Sequence, residues 1–210
     1  MMKTSSDGIL AILNEEAVVL STYRDAGRVA TIGVGHTATA GAPIPGLHMH
    51  LELEQALTIF LADLKYFEAR VAAAVARPLA QHEFDALVDF DFNTGSIQSG
   101  SVDEKLDAGQ VEAAVATLQR YTRAGGVVMG GLRQRRAREA CLFTKAEYPV
   151  VTHIKVYERF PGSCRLVPVS AINWQKLGVA AQGSHPQPTF WTRLLARFSL
   201  MPQRRTAFSA

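Results

Sequence analysis

The sequence predicts an α+β fold, mainly α and two-lobed. It should have a small N-terminal β-hairpin sheet, a long connecting helix, a helical C-terminal lobe and a basic C-terminal extension. Three observations carry this. An alternating segment over 28–34 stands between a helical run and a stretch rich in Ala, Gly and Pro. A long helical run over 52–76 then places Leu53, Leu57, Phe60, Leu61, Leu64, Phe67 and Val71 in one apolar stripe. Four shorter helical runs follow, punctuated by Gly109 and Gly125-Gly126.

The elements can be justified in order. From Asp7 to about Ser21 apolar residues recur at helical spacing, and Ser6 or Asp7 suits the N-cap. At about 100° per residue, Ile9, Ile12, Leu13, Val19 and Leu20 fall within roughly 60° of Glu16. Glu16 is thereby expected on an apolar helix face, with Glu15 turned off to the side. Such a setting favours a protonated carboxyl and suits a general acid. Asp25 follows the helix, just ahead of Ala26-Gly27, in a turn where a carboxylate stays hydrated. In the strand over 28–34, Val29, Thr31 and Gly33 share one face, so Thr31 brings a hydroxyl able to orient a water. Residues 37–46 read as turns, and Arg77-Pro78 stops the long helix. The later helices are expected over 80–92, 102–106, 110–122 and 132–144. From Pro149 the character changes: 150–156 and 164–169 are β-prone, 182–188 is linker-like, and 190–200 returns to helical spacing.

Composition bounds the rest. A chain of 210 residues that is 48% apolar suits one domain, or one domain plus an appendage, with a real core. Its longest apolar runs are too short to span a bilayer, and the start reads as neither signal peptide nor signal anchor, so a cytoplasmic protein is expected. Two cysteines, Cys141 and Cys164, argue against a disulfide scaffold. The net charge of +3 hides an asymmetry: residues 1–149 hold 14 Lys/Arg and 18 Asp/Glu, whereas 150–210 hold 8 Lys/Arg and one acid, Glu158. That split points to a basic tail with a polyanionic partner.

A carboxyl kept protonated beside one kept ionised is what splitting a sugar–sugar bond requires. Glu16 to Asp25 leaves eight residues between, and Asp25 to Thr31 leaves five. With Tyr23-Arg24-Asp25 and Thr31-Ile32-Gly33-Val34-Gly35-His36-Thr37, this segment resembles the active-site region of the phage-type lysozymes, the endolysins of glycoside hydrolase family 24. One departure is Ala17, where the family usually has Gly; Ala is the better helix former. Downstream, the run from Phe84 to Gly95 resembles the family's core helix ending in a Phe-Asn-x-Gly turn, with Asp89 and Asp91 more acidic than expected. Gly130-Gly131-Leu132-Arg133-Gln134-Arg135-Arg136 resembles its Gly-Leu-x-x-Arg-Arg helix start. The resemblance covers roughly 5–148, giving a lysozyme-like catalytic domain there and an extension over 149–210.

The resemblance implies a muramidase cleaving the β-1,4 bond between N-acetylmuramic acid and N-acetylglucosamine of peptidoglycan, for host cell lysis after release through a holin pore. Glu16, Asp25 and Thr31 would be catalytic, His36, Phe92 and Asn93 would bind substrate, and Tyr23 would support the site. Arg135 or Arg136 would pair with Glu16, and the choice between them stays open. No metal or organic cofactor is implied, and a monomer is expected. His48-Met49-His50 lacks a third ligand at a metal-site spacing and reads as a surface loop. The cluster Arg133, Arg135, Arg136 and Arg138 lies in a net acidic region, against nucleic-acid binding. Residues 189–210 put Trp191, Leu194, Leu195 and Phe198 on one helical face and Arg193 and Arg197 on another, the pattern of a short interfacial helix for an anionic membrane or outer-membrane surface. The alternatives are a non-catalytic peptidoglycan-binding relative, which would lose Glu16 or Asp25, and a membrane-active virion-associated protein.

Overall fold

The computed structural model describes residues 1–99 and 101–179. Its architecture is the expected mixture, mainly helical with a small sheet. The expected linker over 182–188 and the amphipathic segment over 189–210 lie outside the described residues.

Helix α1 spans Ser6–Glu15, and Ser5 is its N-cap, its side chain accepting from the Gly8 amide. Five residues of this helix, Ile9 to Leu13, are buried apolar side chains. Asp85 locks the start of the helix from across the core. Its carboxylate accepts from the Ser5 amide at 3.0 Å, from Gln81 at 2.8 Å and from the Tyr148 hydroxyl at 2.7 Å. Residue 8 must be glycine in this packing, because a Cβ there would lie 2.6 Å from the Asp85 carboxyl carbon.

The first helix is shorter than its apolar spacing predicts. Glu16 is the C-cap with extended backbone, and Val18–Arg24 is strand β1. Val18, Val19 and Leu20 are buried in succession, so the strand lacks the alternation that would have betrayed it. β-Branched Val18 and Val19 also favour the strand once a partner is available. Glu16 therefore does not sit mid-helix on an apolar face with Val19 and Leu20, and Asp25 follows a strand rather than a helix.

Strands β2 (Ala30–Gly33) and β3 (His36–Thr37) continue the meander. The turn between them has φ +64 at Gly33 and +74 at Gly35, which accounts for glycine at both positions of the Gly-Val-Gly run. Helix α2 is Leu53–Ala74, opened by a capping box of Glu52 and Gln55. Helix α3, Gln81–Thr94, is the centre of the molecule, with every residue from Phe84 to Asp91 buried. Helices α4 (Val102–Asp107) and α5 (Val111–Leu118), a hairpin of β4 (Arg123–Ala124) and β5 (Val127–Val128), and helix α6 (Gly130–Lys145) complete the helical lobe. The acids that look out of place on α3 each have a cation: Asp91 takes two bonds from Arg70 at 2.7 and 3.2 Å, and Asp89 takes one from Arg135 at 2.7 Å.

The sheet crosses the boundary expected at 148. Strands β6 (His153–Tyr157) and β7 (Cys164–Pro168) join it in the order β3-β2-β1-β6-β7. β6 pairs in parallel with β1 at Val18 and Val19, and every other pairing in the sheet is antiparallel. The first part of β1 would otherwise present an open edge, and β6 closes it. Ile154 and Val156 are buried in the common core. The following segment folds back on the body, with Lys176 on Glu54 at 2.6 Å and the Trp174 indole donating to the Val169 carbonyl at 3.0 Å. No helix among the described residues is long and apolar enough to cross a membrane.

Candidate active site

Three elements converge on Glu16. As the C-cap of α1 it leaves the helix axis, and its carboxylate Oε1 accepts a bond from Arg135 Nη1 of α6. That settles the choice between the two arginines: Arg135 holds Glu16. Arg136 turns instead to Glu139 at 2.5 Å and to the Asn93 amide oxygen at 3.0 Å, its guanidinium 5.1 Å from the Phe90 ring centre. The setting of Glu16 is thus ionic rather than apolar, with its side chain 31% exposed.

Arg135 is the junction of a buried network. Beyond Glu16 it reaches Asp89 of α3 at 2.7 Å and Glu139 of its own helix at 3.3 Å. Burial works against its charge, yet Asp89, Glu16 and Glu139 outweigh that and push its pKa above the ordinary arginine value. Three carboxyls face two guanidiniums here, so negative charge is in excess. Burial first and the Asp89 carboxyl next raise the pKa of Glu139 well above the usual glutamate value, and burial with the nearby Glu15 carboxylate raises that of Asp89.

Asp25 lies in the β1–β2 turn, half-buried, with Oδ1 accepting from the Val29 amide at 2.8 Å. Thr31 is buried and donates its hydroxyl to the Val29 carbonyl at 3.1 Å, which leaves the Oγ1 lone pairs as acceptors. Tyr23 gathers these groups. A bulge makes β1 advance four residues, Val19 to Tyr23, while β2 moves two, Gly33 to Thr31, and this brings Tyr23 opposite Thr31. Burial and then the nearby Glu16 and Asp25 carboxylates raise the Tyr23 pKa. The phenol therefore lies within the field of both acids and across the strand from the threonine.

Some expected site residues do other work. His36 is 1% exposed, with Nδ1 on Asp63 at 2.8 Å and Nε2 on the Pro43 carbonyl at 2.8 Å. Both ring nitrogens are spent inside the fold, so His36 braces the β2–β3 turn against α2. Phe92 is half-buried edge-on to Phe60 and Phe67, where it packs α3 on α2. Asn93 is half-buried and tied to Arg136. Glu15 takes a different partner from Glu16, a two-pronged pair with Arg138 at 2.5 and 2.7 Å. Sequence reasoning missed Asp89 and Asp63 as partners, although the unusual acidity at Asp89 was a signal for the first. No group of three or more metal-ligating side chains occurs among the described residues, His48 and His50 included.

A small sheet, a long helix and a helical lobe, with a glutamate at the end of the first helix and an aspartate in the next turn, define a lysozyme-like glycoside hydrolase. The phage lysozyme family model matches residues 14–139, more than half of the chain. The endolysin of Salmonella phage P22 is 32% identical over 145 residues, covering 68% of this chain and 99% of that protein. Among solved structures, an endolysin from Escherichia coli O157:H7 phage FAHEc1 superposes with a TM-score of 0.64 at 32% identity, over 71% of this chain and 98% of that one. The muramidase domain of SpmX from Asticaccaulis excentricus gives 0.62 at 28% identity, over 69% of this chain and 99% of that one. The chain belongs to the phage lysozyme family.

The crowded carboxyls predict a pH dependence. A carboxyl whose folded pKa is raised binds more protons folded than unfolded, so it costs stability as pH rises from about 4.5 through the raised value. Glu139→Gln removes that titration. Thermal melts across pH 5 to 8 should show the variant gaining on the parent protein as pH increases. A gap that is constant or narrows with pH would show that Glu139 carries its charge without penalty.

Proposed function

We propose that this protein is an endolysin acting as a muramidase of glycoside hydrolase family 24, cleaving the β-1,4 bond between N-acetylmuramic acid and N-acetylglucosamine in peptidoglycan. The observation that carries the reading is the Glu16 carboxyl, held through one oxygen by a buried guanidinium and with no partner among the described residues at the other. Arg135 fixes its direction, and Oε2 delivers the proton to the glycosidic oxygen as the bond breaks. Asp25 has one oxygen on the Val29 amide and offers the other to the positive charge developing on the sugar and to the attacking water. Thr31, its proton engaged by Val29, accepts a hydrogen from that water and orients its lone pair toward the anomeric carbon. A water positioned this way, on the face opposite Glu16, corresponds to inversion. We assign Tyr23 to support of the two acids, and Phe92 and Asn93 to the cleft wall on α3.

We place synthesis in the bacterial cytoplasm and release through a membrane pore formed by another protein. The tail over 189–210 is assigned to anionic envelope surfaces, on its apolar Trp191, Leu194, Leu195, Phe198 face and its flanking arginines.

Glu16→Gln keeps the shape of the side chain and removes the proton. Reducing-end release from purified peptidoglycan should fall by about 10²–10⁴-fold with the melting curve little changed. Near-normal release would mean that another residue is the acid. Deleting 189–210 should leave hydrolysis of purified peptidoglycan intact and weaken sedimentation with anionic vesicles. Loss of hydrolysis in the truncated protein would place the tail in the fold instead.

A further inference from the structure

The hairpin of β6 and β7 lies beyond the residues that match the family, 14–139, and it builds a recess of its own. β1 changes neighbours along one edge. It pairs with β6 at Val18 and Val19, then with the segment at 49–51, where Thr22 bonds the Met49 carbonyl at 3.0 Å and the Leu51 amide bonds the Leu20 carbonyl at 2.8 Å. The hairpin tip and this segment therefore part like a fork. Between them lies a cavity of about 580 Å³ with Ser21 and Thr22 on its floor, His48 and His50 on one side, and Arg159 and Phe160 on the other.

The charges in this recess are unequal. Glu158 pairs with Arg165 at 3.2 Å, whereas Arg159 has no ion-pair partner among the described residues. His50 is held by Ser21 at 3.1 Å, and the buried Thr22 hydroxyl has no hydrogen-bond partner among the described residues. The recess also adjoins the proposed cleft. Phe160 stacks edge-on against Tyr23 at 5.4 Å and against Tyr157 at 5.5 Å. Tyr23 is the residue that lies in the field of both Glu16 and Asp25.

We propose that this recess is a subsite for the peptide stem of peptidoglycan, in which the Arg159 guanidinium takes a stem carboxylate and Phe160 packs the adjoining aliphatic side chain. It rests on the muramidase reading, because the stem hangs from the muramic acid that such an enzyme must engage. The chemistry fits the stem better than the glycan. An unpaired arginine matches a planar carboxylate bidentately, and the uncleaved sugars of the strand carry no such group once the lactyl carboxyl is amide-linked to the peptide. A hairpin added outside the family's common body would thus read the part of the substrate that varies between cell walls.

The test is binding of the full-length Glu16→Gln protein to two insoluble substrates, intact peptidoglycan and the same glycan stripped of peptides by an amidase, its freed lactyl carboxyls then capped as amides. Adding Arg159→Ala should weaken sedimentation with intact peptidoglycan by about tenfold and leave binding to stripped glycan unchanged. Arg159→Lys should recover only part of the loss, since a point charge cannot form the fork. Equal loss on both substrates, or no loss on either, overturns the subsite. Arg159 is exposed, and a melt of each variant confirms that it folds. The muramidase reading is judged separately, by reducing ends released from intact peptidoglycan by the unsubstituted protein. No release there sinks the muramidase reading, whatever the binding shows.

Discussion

The ion network centred on Arg135 is the interaction on which the rest of the site depends. One guanidinium, 5% exposed, joins the end of α1 through Glu16, the central helix α3 through Asp89 and its own helix through Glu139. A lone buried charge is costly, and a pair that loses one partner leaves the other unpaired. The three elements are therefore held to one relative placement, and the acid at the end of the first helix is aimed as a by-product of that constraint. The cost is carboxyl charge taken out of water: burial first, and neighbouring carboxyls after it, raise the pKa values of Glu139 and Asp89.

The second constraint is the sheet. A bulge in β1 re-aims Tyr23 across from Thr31, and glycine at 33 and 35 lets β2 turn back into β3 with His36 locked inward on Asp63. The free edge of β1 is covered first by β6 and then by the 49–51 segment. That single strand thus links the proposed catalytic groups to the added hairpin. It also explains why Ile154, Val156, Val167 and Val169 belong to the same core as Ile12 and Leu13.

Much of this was legible in the sequence because the signals were local. The long stripe of α2, the glycine punctuation of the helical lobe and the Glu-Asp-Thr spacing all follow from residues a few positions apart. The errors have one origin: local spacing cannot report a distant partner. The run Val18-Val19-Leu20 fits the apolar period of α1 and also fits a strand buried on both faces, and only pairing with β2 and β6 decides between them. The choice of Arg135 over Arg136 depends on which side of α6 meets α1, more than a hundred residues away in the chain. His36 looked like a cleft residue because its brace, Asp63, sits on another element with no motif to mark it. Charge composition marks 150–210 as basic, but not that the strands at its start complete the sheet.

The claim that Arg135 is the organising contact is tested most directly by comparing Arg135→Met with Arg138→Met, two substitutions one turn apart on α6. Arg138 is 45% exposed at its side chain and, among the described residues, pairs only with Glu15, so its loss should cost at most about 1 kcal/mol. Arg135→Met should cost about 3–5 kcal/mol in chemical denaturation and should lower hydrolysis as well, because Glu16, Asp89 and Glu139 lose their common cation. Equal and small effects from the two substitutions would contradict the account.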